Sequence, residues 1–127
     1  MKAKSIKGKS TEEIKTELQQ SIADGLPASQ AGFKPTLAIV FLSVKQDIDA
    51  VSKILDDAGI AIYGATTCGE FTEEGITAGE IAILLLDINP SYFTIFFEEF
   101  PEKNYRQTTQ AIAEKALKKF EHPCFLI

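Results

Sequence analysis

Apolar residues recur at helical spacing near the start of the chain. The first helix is predicted from three apolar residues at every fourth position: Ile14, Leu18 and Ile22. Ser10 and Glu13 have the spacing of a capping box and mark the start of this helix. Gly25 and Pro27 are expected to end it, and residues 26–35 are expected to form a loop.

A compact strand, helix, strand unit follows. Residues 37–42 (LAIVFL) are apolar on both faces, which is typical of a central strand covered on both sides. Asp47 is expected to cap the next helix, Gly59 to end it, and residues 60–65 (IAIYGA) to form a second strand. The helix is predicted from one apolar stripe: Ile48, Val51, Ile54, Leu55 and Ala58. Because the connection is short and helical, the two strands should be parallel, with a right-handed crossover.

The last part of the chain is predicted to add a hairpin, a helix and a strand. Residues 80–88 and 92–100 are long apolar segments separated by residues 89–91 (NPS), which favours an antiparallel hairpin. A helix is expected to start at Asn104, and residues 124–127 (CFLI) are expected to begin a final strand. The inner face of that helix is predicted to carry three residues: Ile112, Ala116 and Phe120. The predicted fold class is therefore α/β, a mixed sheet with a β-α-β unit followed by a β-hairpin, a helix and a final strand, with helices packed on the sheet.

Length and composition favour one globular domain over residues 1–127. The chain is 45% hydrophobic and 24% charged, so it can bury a core. It stops inside an apolar segment, and we therefore expect it to be the front part of a larger domain. Such a piece is expected to leave a sheet edge exposed and to associate with itself as a homo-oligomer.

Charge and segment length narrow the set of partners and compartments. A net charge of −5 argues against a nucleic acid or an anionic membrane as partner. The lysines within residues 1–9 lack aromatic neighbours and are expected to form a solvated arm. No apolar segment reaches transmembrane length, and two cysteines are too few for a disulfide framework. A reducing cytoplasm is the expected location, without membrane insertion.

Residues 64–71 (GATTCGEF) are the most unusual stretch of the chain. Gly64 and Gly69 have the spacing of the glycines in a phosphate-binding P-loop, but Glu70 stands where that loop has its lysine. A carboxylate at this position repels phosphate. The sequence therefore excludes a P-loop.

A thiol nucleophile at Cys68 would need an imidazole beside it. The only histidine, His122, precedes the last predicted strand, whereas Cys68 follows the end of its own strand. If those strands are parallel, the two side chains lie at opposite edges of the sheet, roughly 20 Å apart at about 3.3 Å per residue. An antiparallel placement would bring them together. Since free cysteines usually pack as small hydrophobic residues, no catalytic residue is assigned.

The same stretch has the composition of a ligand-binding loop. Ligands of open parallel sheets bind beside the carboxyl ends of the strands. Thr66 and Thr67 offer hydroxyls, and Glu70 could receive an amine. Gly64 and Gly69 allow a ligand to approach the backbone closely. The alternative is a turn whose glycines serve backbone geometry alone, and the residues by themselves favour neither hypothesis.

The residues around this loop resemble the N-terminal domain of the FIST family, the F-box and intracellular signal transduction proteins. The family signature has a glycine, a small or thiol residue, Ser or Thr, one or two small residues, and then Gly-Glu and an apolar residue. Residues 41–43 (FLS), Asp47 and Gly75 also fit the pattern around it. A thiol often follows the first glycine in this family, where this chain has Ala65 and carries its thiol at Cys68 instead. The matching positions are these: Gly64, Thr66, Gly69, Glu70 and Phe71.

The resemblance implies a non-catalytic sensory domain. Its expected partners are a small-molecule ligand, such as an amino acid or similar metabolite, and a signalling output domain or partner protein. It implies neither a cofactor nor a metal. Two alternatives stay open: a hydrolase that uses Cys68 or a threonine hydroxyl, and a scaffold whose sheet edges pair with other proteins. The residues expected to bind the ligand are these: Ser43, Gly64, Thr66, Thr67, Cys68, Gly69 and Glu70.

Overall fold

The structure is a computed structural model that describes residues 1–22, 32–73, 75–99 and 103–126. Strands and helices alternate in the first part of the chain, and a series of strands follows. The chain forms two units, Met1–Phe93 and Thr94–Ile127. The second unit contains α3 (Tyr105–Lys119). The elements of the first unit are β1 (Lys2–Gly8), α1 (Thr11–Ile22), β2 (Leu37–Ser43), α2 (Ile48–Asp57), β3 (Ala61–Thr67), β4 (Glu70–Thr72), β5 (Gly75–Thr77) and β6 (Ile81–Asp87).

Four strands of the first unit form one mixed sheet, in the order β1-β6-β2-β3. β2 and β3 are parallel, and β6 runs antiparallel to both of its neighbours, β1 and β2. The predicted α/β class and the predicted parallel pair are therefore confirmed. In the register of β2 with β3, Ser43 lies opposite Thr67, so the carboxyl ends of the two strands coincide. β4 and β5 form a separate short hairpin.

The hydrophobic core lies on one face of this sheet, beneath α1 and α2. Alternate positions of a strand point to the same side, and on this side β2 and β6 carry buried aliphatic residues. Leu18 of α1 and Leu55 of α2 belong to the same buried cluster. The strand residues of this cluster are Ile6, Ala38, Val40, Leu42, Ile81, Ile83 and Leu85.

β1 corrects the prediction of a solvated N-terminal arm. Residues 2–8 pair along their whole length with β6 and form one edge of the sheet. Ile6 is 3% exposed and Gly8 is buried, both on the core side, while Lys7 between them is exposed. The lysines conceal this alternation in the sequence. Lysines are common on edge strands because their charge discourages pairing with other chains.

The predicted hairpin of residues 80–88 and 92–100 forms only in its first half, as β6. A 3-10 turn at Pro90–Tyr92 follows, and Asn89 supports it by accepting a hydrogen bond from the Ser91 N–H at 2.9 Å. Residues 93–99 form no strand. The physical reason is that β6 already bonds to β1 on one side and β2 on the other, so neither of its edges is available. Residues 124–126 also form no strand, and Ile127 lies outside the described residues.

α1 begins as predicted. The Ser10 hydroxyl accepts a hydrogen bond from the Glu13 N–H at 3.3 Å, and the Glu13 carboxylate accepts one from the Lys9 N–H at 2.7 Å. Ile14 and Leu18 are buried, whereas Ile22 is exposed. The predicted helix end at Gly25 and Pro27 lies outside the described residues.

α2 follows its predicted cap and its predicted end. The Asp47 carboxylate accepts a hydrogen bond from the Ala50 N–H at 2.9 Å, and Gly59 has the left-handed φ of +71° that favours glycine after a helix. Val51 and Leu55 are buried, with Ile54 packed against the same core. Ile48 and Ala58, at the two ends of the predicted stripe, are exposed.

Asp47→Ala is expected to lower the free energy of unfolding by about 1 kcal/mol, because the Ala50 N–H loses its acceptor. Urea unfolding followed by circular dichroism measures the change. Asp47→Asn keeps a side-chain oxygen at the same place and should stay within about 0.5 kcal/mol of wild type. Equal losses in both variants would show that the charge, and not the hydrogen bond, stabilises the helix.

In the second unit, α3 starts after Asn104, as predicted. Ala116 is buried and Ile112 and Phe120 are half-buried, so the predicted inner face is the less exposed one. Glu98, in the segment before the helix, pairs with Lys115.

Candidate functional site

The carboxyl ends of β2 and β3 bring most of the predicted ligand-binding residues together. Ser43 ends β2, is 7% exposed, and its hydroxyl accepts a hydrogen bond from the Lys45 N–H at 3.3 Å. Thr67 ends β3 directly opposite and is half-buried. Cys68 and Gly69 continue as an exposed connection to β4, which we call the β3–β4 loop. The candidate site therefore lies at the carboxyl ends of β2 and β3, where hydroxyls, an exposed thiol and exposed backbone groups come together.

Gly64 lies away from the carboxyl ends of the strands, in the middle of β3 and opposite Val40. A Cβ atom at this position would lie 2.2 Å from the Val40 carbonyl oxygen and 2.9 Å from the Val40 Cβ. The two backbones thus approach so closely that only glycine fits. This geometry gives Gly64 a structural role within the strand pair, whereas the structural alternative from the sequence placed its glycines in a turn.

Glu70, one of the residues predicted to bind the ligand, is fully buried, which the sequence did not predict. One carboxylate oxygen accepts a hydrogen bond from the Thr67 hydroxyl at 2.9 Å, and the other accepts one from the Glu80 N–H at 3.1 Å. Donors of the same chain therefore occupy both oxygens. In this arrangement the carboxylate faces no solvent, so it could receive a ligand amine only if β4 moved away.

The β4–β5 hairpin, which contains Glu70, lies against the sheet. β4 contacts β1, β2 and β6, and the Thr77 hydroxyl donates to the Glu70 carbonyl at 3.5 Å. At the turn, the Glu73 carboxylate reaches β1. Its pKa lies below the ordinary value because it accepts a hydrogen bond from its own backbone N–H and another from the Ser5 hydroxyl, with the positive charge of Lys7 nearby.

Gln46 is a site residue that sequence analysis missed. Its amide donates to the Gly79 carbonyl at 2.7 Å and to the Lys9 carbonyl at 3.1 Å. It thereby joins the segments that follow β1, β2 and β5. Beside it, the Ser43 N–H donates to the Glu80 carbonyl at 3.1 Å. No local pattern marks Gln46, because both of its partners are more than thirty residues away in sequence.

The Cys68 thiol makes no hydrogen bond within the described residues, and His122 belongs to the other unit. The His122 ring lies 3.8 Å from the Glu121 carboxylate and is largely exposed. Throughout the described ranges no group of three acidic, cysteine or histidine side chains could hold a metal ion.

Comparison with models of known protein families finds a match over most of the chain. The FIST N domain model matches residues 36–127, well over half of the chain and every predicted site residue. The chain belongs to the FIST family. The resemblance inferred from residues 64–71 is thereby confirmed. No curated protein and no solved structure matches the chain.

FIST is a domain associated with signal transduction, and FIST domains are in general sensory and not catalytic. The matched region of this FIST chain begins just before β2, so it includes the parallel strands and the β4–β5 hairpin but neither β1 nor α1. Among the described helices, none is long and apolar enough to cross a membrane.

Proposed function

We propose that this FIST domain is a sensory module that binds a small ligand at the carboxyl ends of β2 and β3 and couples binding to a signalling output domain or partner protein. The observation that carries the proposal is the register of the parallel pair, which places Ser43 beside Thr67 at the start of an exposed loop. Carboxyl ends of parallel strands are where open α/β sheets bind ligands.

The exposed groups at the carboxyl ends of β2 and β3 suit a small polar ligand. The Thr66 hydroxyl can donate and accept hydrogen bonds, and the backbone of Gly69 is accessible because the residue has no side chain. An amino acid or a similar metabolite carries donors and acceptors that match such groups. Glu70 contributes indirectly in this proposal, since its bond to Thr67 holds the β3–β4 loop in place.

A series of hydrogen bonds connects the carboxyl ends of β2 and β3 to other parts of the first unit, and this series supports coupling. Thr67 bonds to Glu70, Glu70 bonds to the backbone of Glu80, and Gln46 ties the adjoining Gly79 to Lys9 before α1. A ligand that shifts the β3–β4 loop would therefore displace groups bonded to the start of α1. Such a continuous network is a physical route for coupling between two sites.

A thermal-shift screen against amino acids and related metabolites tests ligand binding. A ligand that binds only the folded state stabilises it by about 2.7 kcal/mol at one hundred times its Kd. We expect a small set of chemically related compounds to raise the melting temperature. If no amino acid or metabolite does so at millimolar concentration, the proposal is wrong for these classes.

Thr66→Val is expected to weaken binding of a compound from that screen by about 0.5–1.5 kcal/mol, roughly two- to twelvefold, because one hydrogen bond is lost. Cys68→Ser should leave the affinity within a few fold of wild type, since serine keeps the size and polarity of the side chain. Titration calorimetry measures both variants.

The matched control is Thr16→Val, which changes an exposed threonine on α1 and should leave the affinity unchanged. Loss of binding in Cys68→Ser with normal binding in Thr66→Val would reverse the assigned roles. It would also favour the alternative function, a hydrolase that uses the thiol.

A further inference from the structure

The outer edge of β3 is the feature of the first unit that the proposed function leaves unexplained. β3 is the last strand of the sheet, bonded to β2 on one side and to no other described strand. Gly64, Ala65 and Thr66 are all exposed along it. A strand edge of this kind presents unpaired backbone N–H and carbonyl groups, which can pair with another strand.

The two edges of the sheet differ in charge. β1, the opposite edge, carries Lys2, Lys4 and Lys7. In contrast, residues 60–69 (IAIYGATTCG) contain no charged residue and no proline. Natural proteins protect their edge strands with such residues, so the β1 edge is protected and the β3 edge is not.

We propose that the β3 edge is an interface, at which β3 pairs antiparallel with β3 of a second copy of this chain about a two-fold axis near Ala65. The two four-stranded sheets would then form one continuous sheet. The inference is independent of the proposed function, because association is measured without a ligand.

Charge and symmetry favour a second copy, joined through β3, as the occupant of this edge. Pairing β1 with β1 would place lysines of both copies side by side, which like-charge repulsion opposes. Pairing β1 with β3 is a head-to-tail contact, which leaves a free edge at each end and leads to open filaments. Pairing β3 with β3 joins two uncharged edges and closes the assembly as a symmetric dimer.

The side chains near the proposed axis are small enough for the contact. In an antiparallel pair centred on Ala65, this residue lies opposite its own copy, and Gly64 lies opposite Thr66 of the second copy. Opposed Cβ atoms in such a pair are about 4.5–5.5 Å apart. Charged side chains introduced at position 65 would therefore meet each other directly.

Sedimentation velocity of the full chain over a range of concentrations tests the proposal. Wild type is expected to dimerise reversibly. Ala65→Lys and Ala65→Glu should each weaken the dimer at least about tenfold, because two like charges meet at the axis. An equimolar mixture of the two variants should restore the dimer, since the opposed charges then attract.

Ala3→Lys is the matched control. Ala3 is exposed on the other edge strand, and the strand registers place it on the same face of the sheet as Ala65. This variant should dimerise like wild type, and circular dichroism should show all three variants folded. A wild-type monomer at every concentration, an equal loss of association in Ala3→Lys, or no recovery in the mixture would each overturn the proposal.

Discussion

Gly64→Ala is expected to lower the free energy of unfolding by about 3–5 kcal/mol. The added Cβ would lie 2.2 Å from the Val40 carbonyl oxygen, a distance at which atoms overlap. A flexible side chain could move aside, but this oxygen belongs to the backbone of β2. Since β2 is bonded to both β3 and β6, relief of the overlap requires β3 to separate from the sheet. The loss is a large fraction of the 5–15 kcal/mol that is usual for a domain.

Gly69→Ala is the matched control for this prediction. Its Cβ would find the Thr77 carbonyl oxygen at 3.6 Å, an ordinary contact, and Gly69 is not among the glycines with positive φ. Alanine at this position should change stability by less than about 1 kcal/mol and could raise it, because the unfolded chain loses freedom. Urea unfolding of both variants gives the comparison. A loss below about 1 kcal/mol in Gly64→Ala would contradict the close approach of the two strands.

Glu70→Ala is expected to cost about 2–4 kcal/mol of stability, because it leaves the Thr67 hydroxyl and the Glu80 N–H without their acceptor. Both donors lose a hydrogen bond to a charged group, and such bonds are the stronger ones. Glu70→Gln should cost less, about 1–3 kcal/mol, since one oxygen remains as an acceptor. Glu73→Gln is the control in the same hairpin, where the carboxylate is exposed and a smaller loss than in either Glu70 variant is expected.

Hydrogen exchange distinguishes the local role of Glu70 from a general loss of stability. If Glu70 holds the hairpin down, Glu70→Gln should speed exchange of the Glu80 amide more than exchange of amides in the centre of β6, such as that of Ile83. Uniform acceleration throughout the sheet would contradict the local role. Unchanged stability and exchange with lost binding of an amine ligand would instead assign Glu70 to the ligand.

Local patterns were sufficient to predict the β-α-β unit. Asp47 and Gly59 mark the ends of α2 by chemistry that acts within three residues, and the buried stripe of Val51 and Leu55 repeats at the period of the helix itself. The parallel arrangement of β2 and β3 followed from the short helical connection. The family was also recognisable from residues 64–71 together with residues 41–43, Asp47 and Gly75.

The sequence predicted that the strand ends of β2 and β3 lie together, but not the surroundings of the candidate residues. The predicted parallel arrangement of β2 and β3 brings their carboxyl ends together, and Ser43 and Thr67 lie there opposite each other. That arrangement contains no information on burial. Glu70 was expected to receive a ligand amine, whereas the Glu80 N–H, ten residues away, donates to one of its oxygens inside the fold.

What the sequence determined by itself is thus the set of elements whose signals are local, together with the family. The tertiary structure decided the rest: β1 entered the sheet beside β6, and residues 93–99 formed no strand. The pairing of β1 with β6 joins positions some eighty residues apart, and no local period encodes which strand takes a free edge. The same reason applies to Gly64, whose need for glycine arises only from the approach of Val40 on a neighbouring strand.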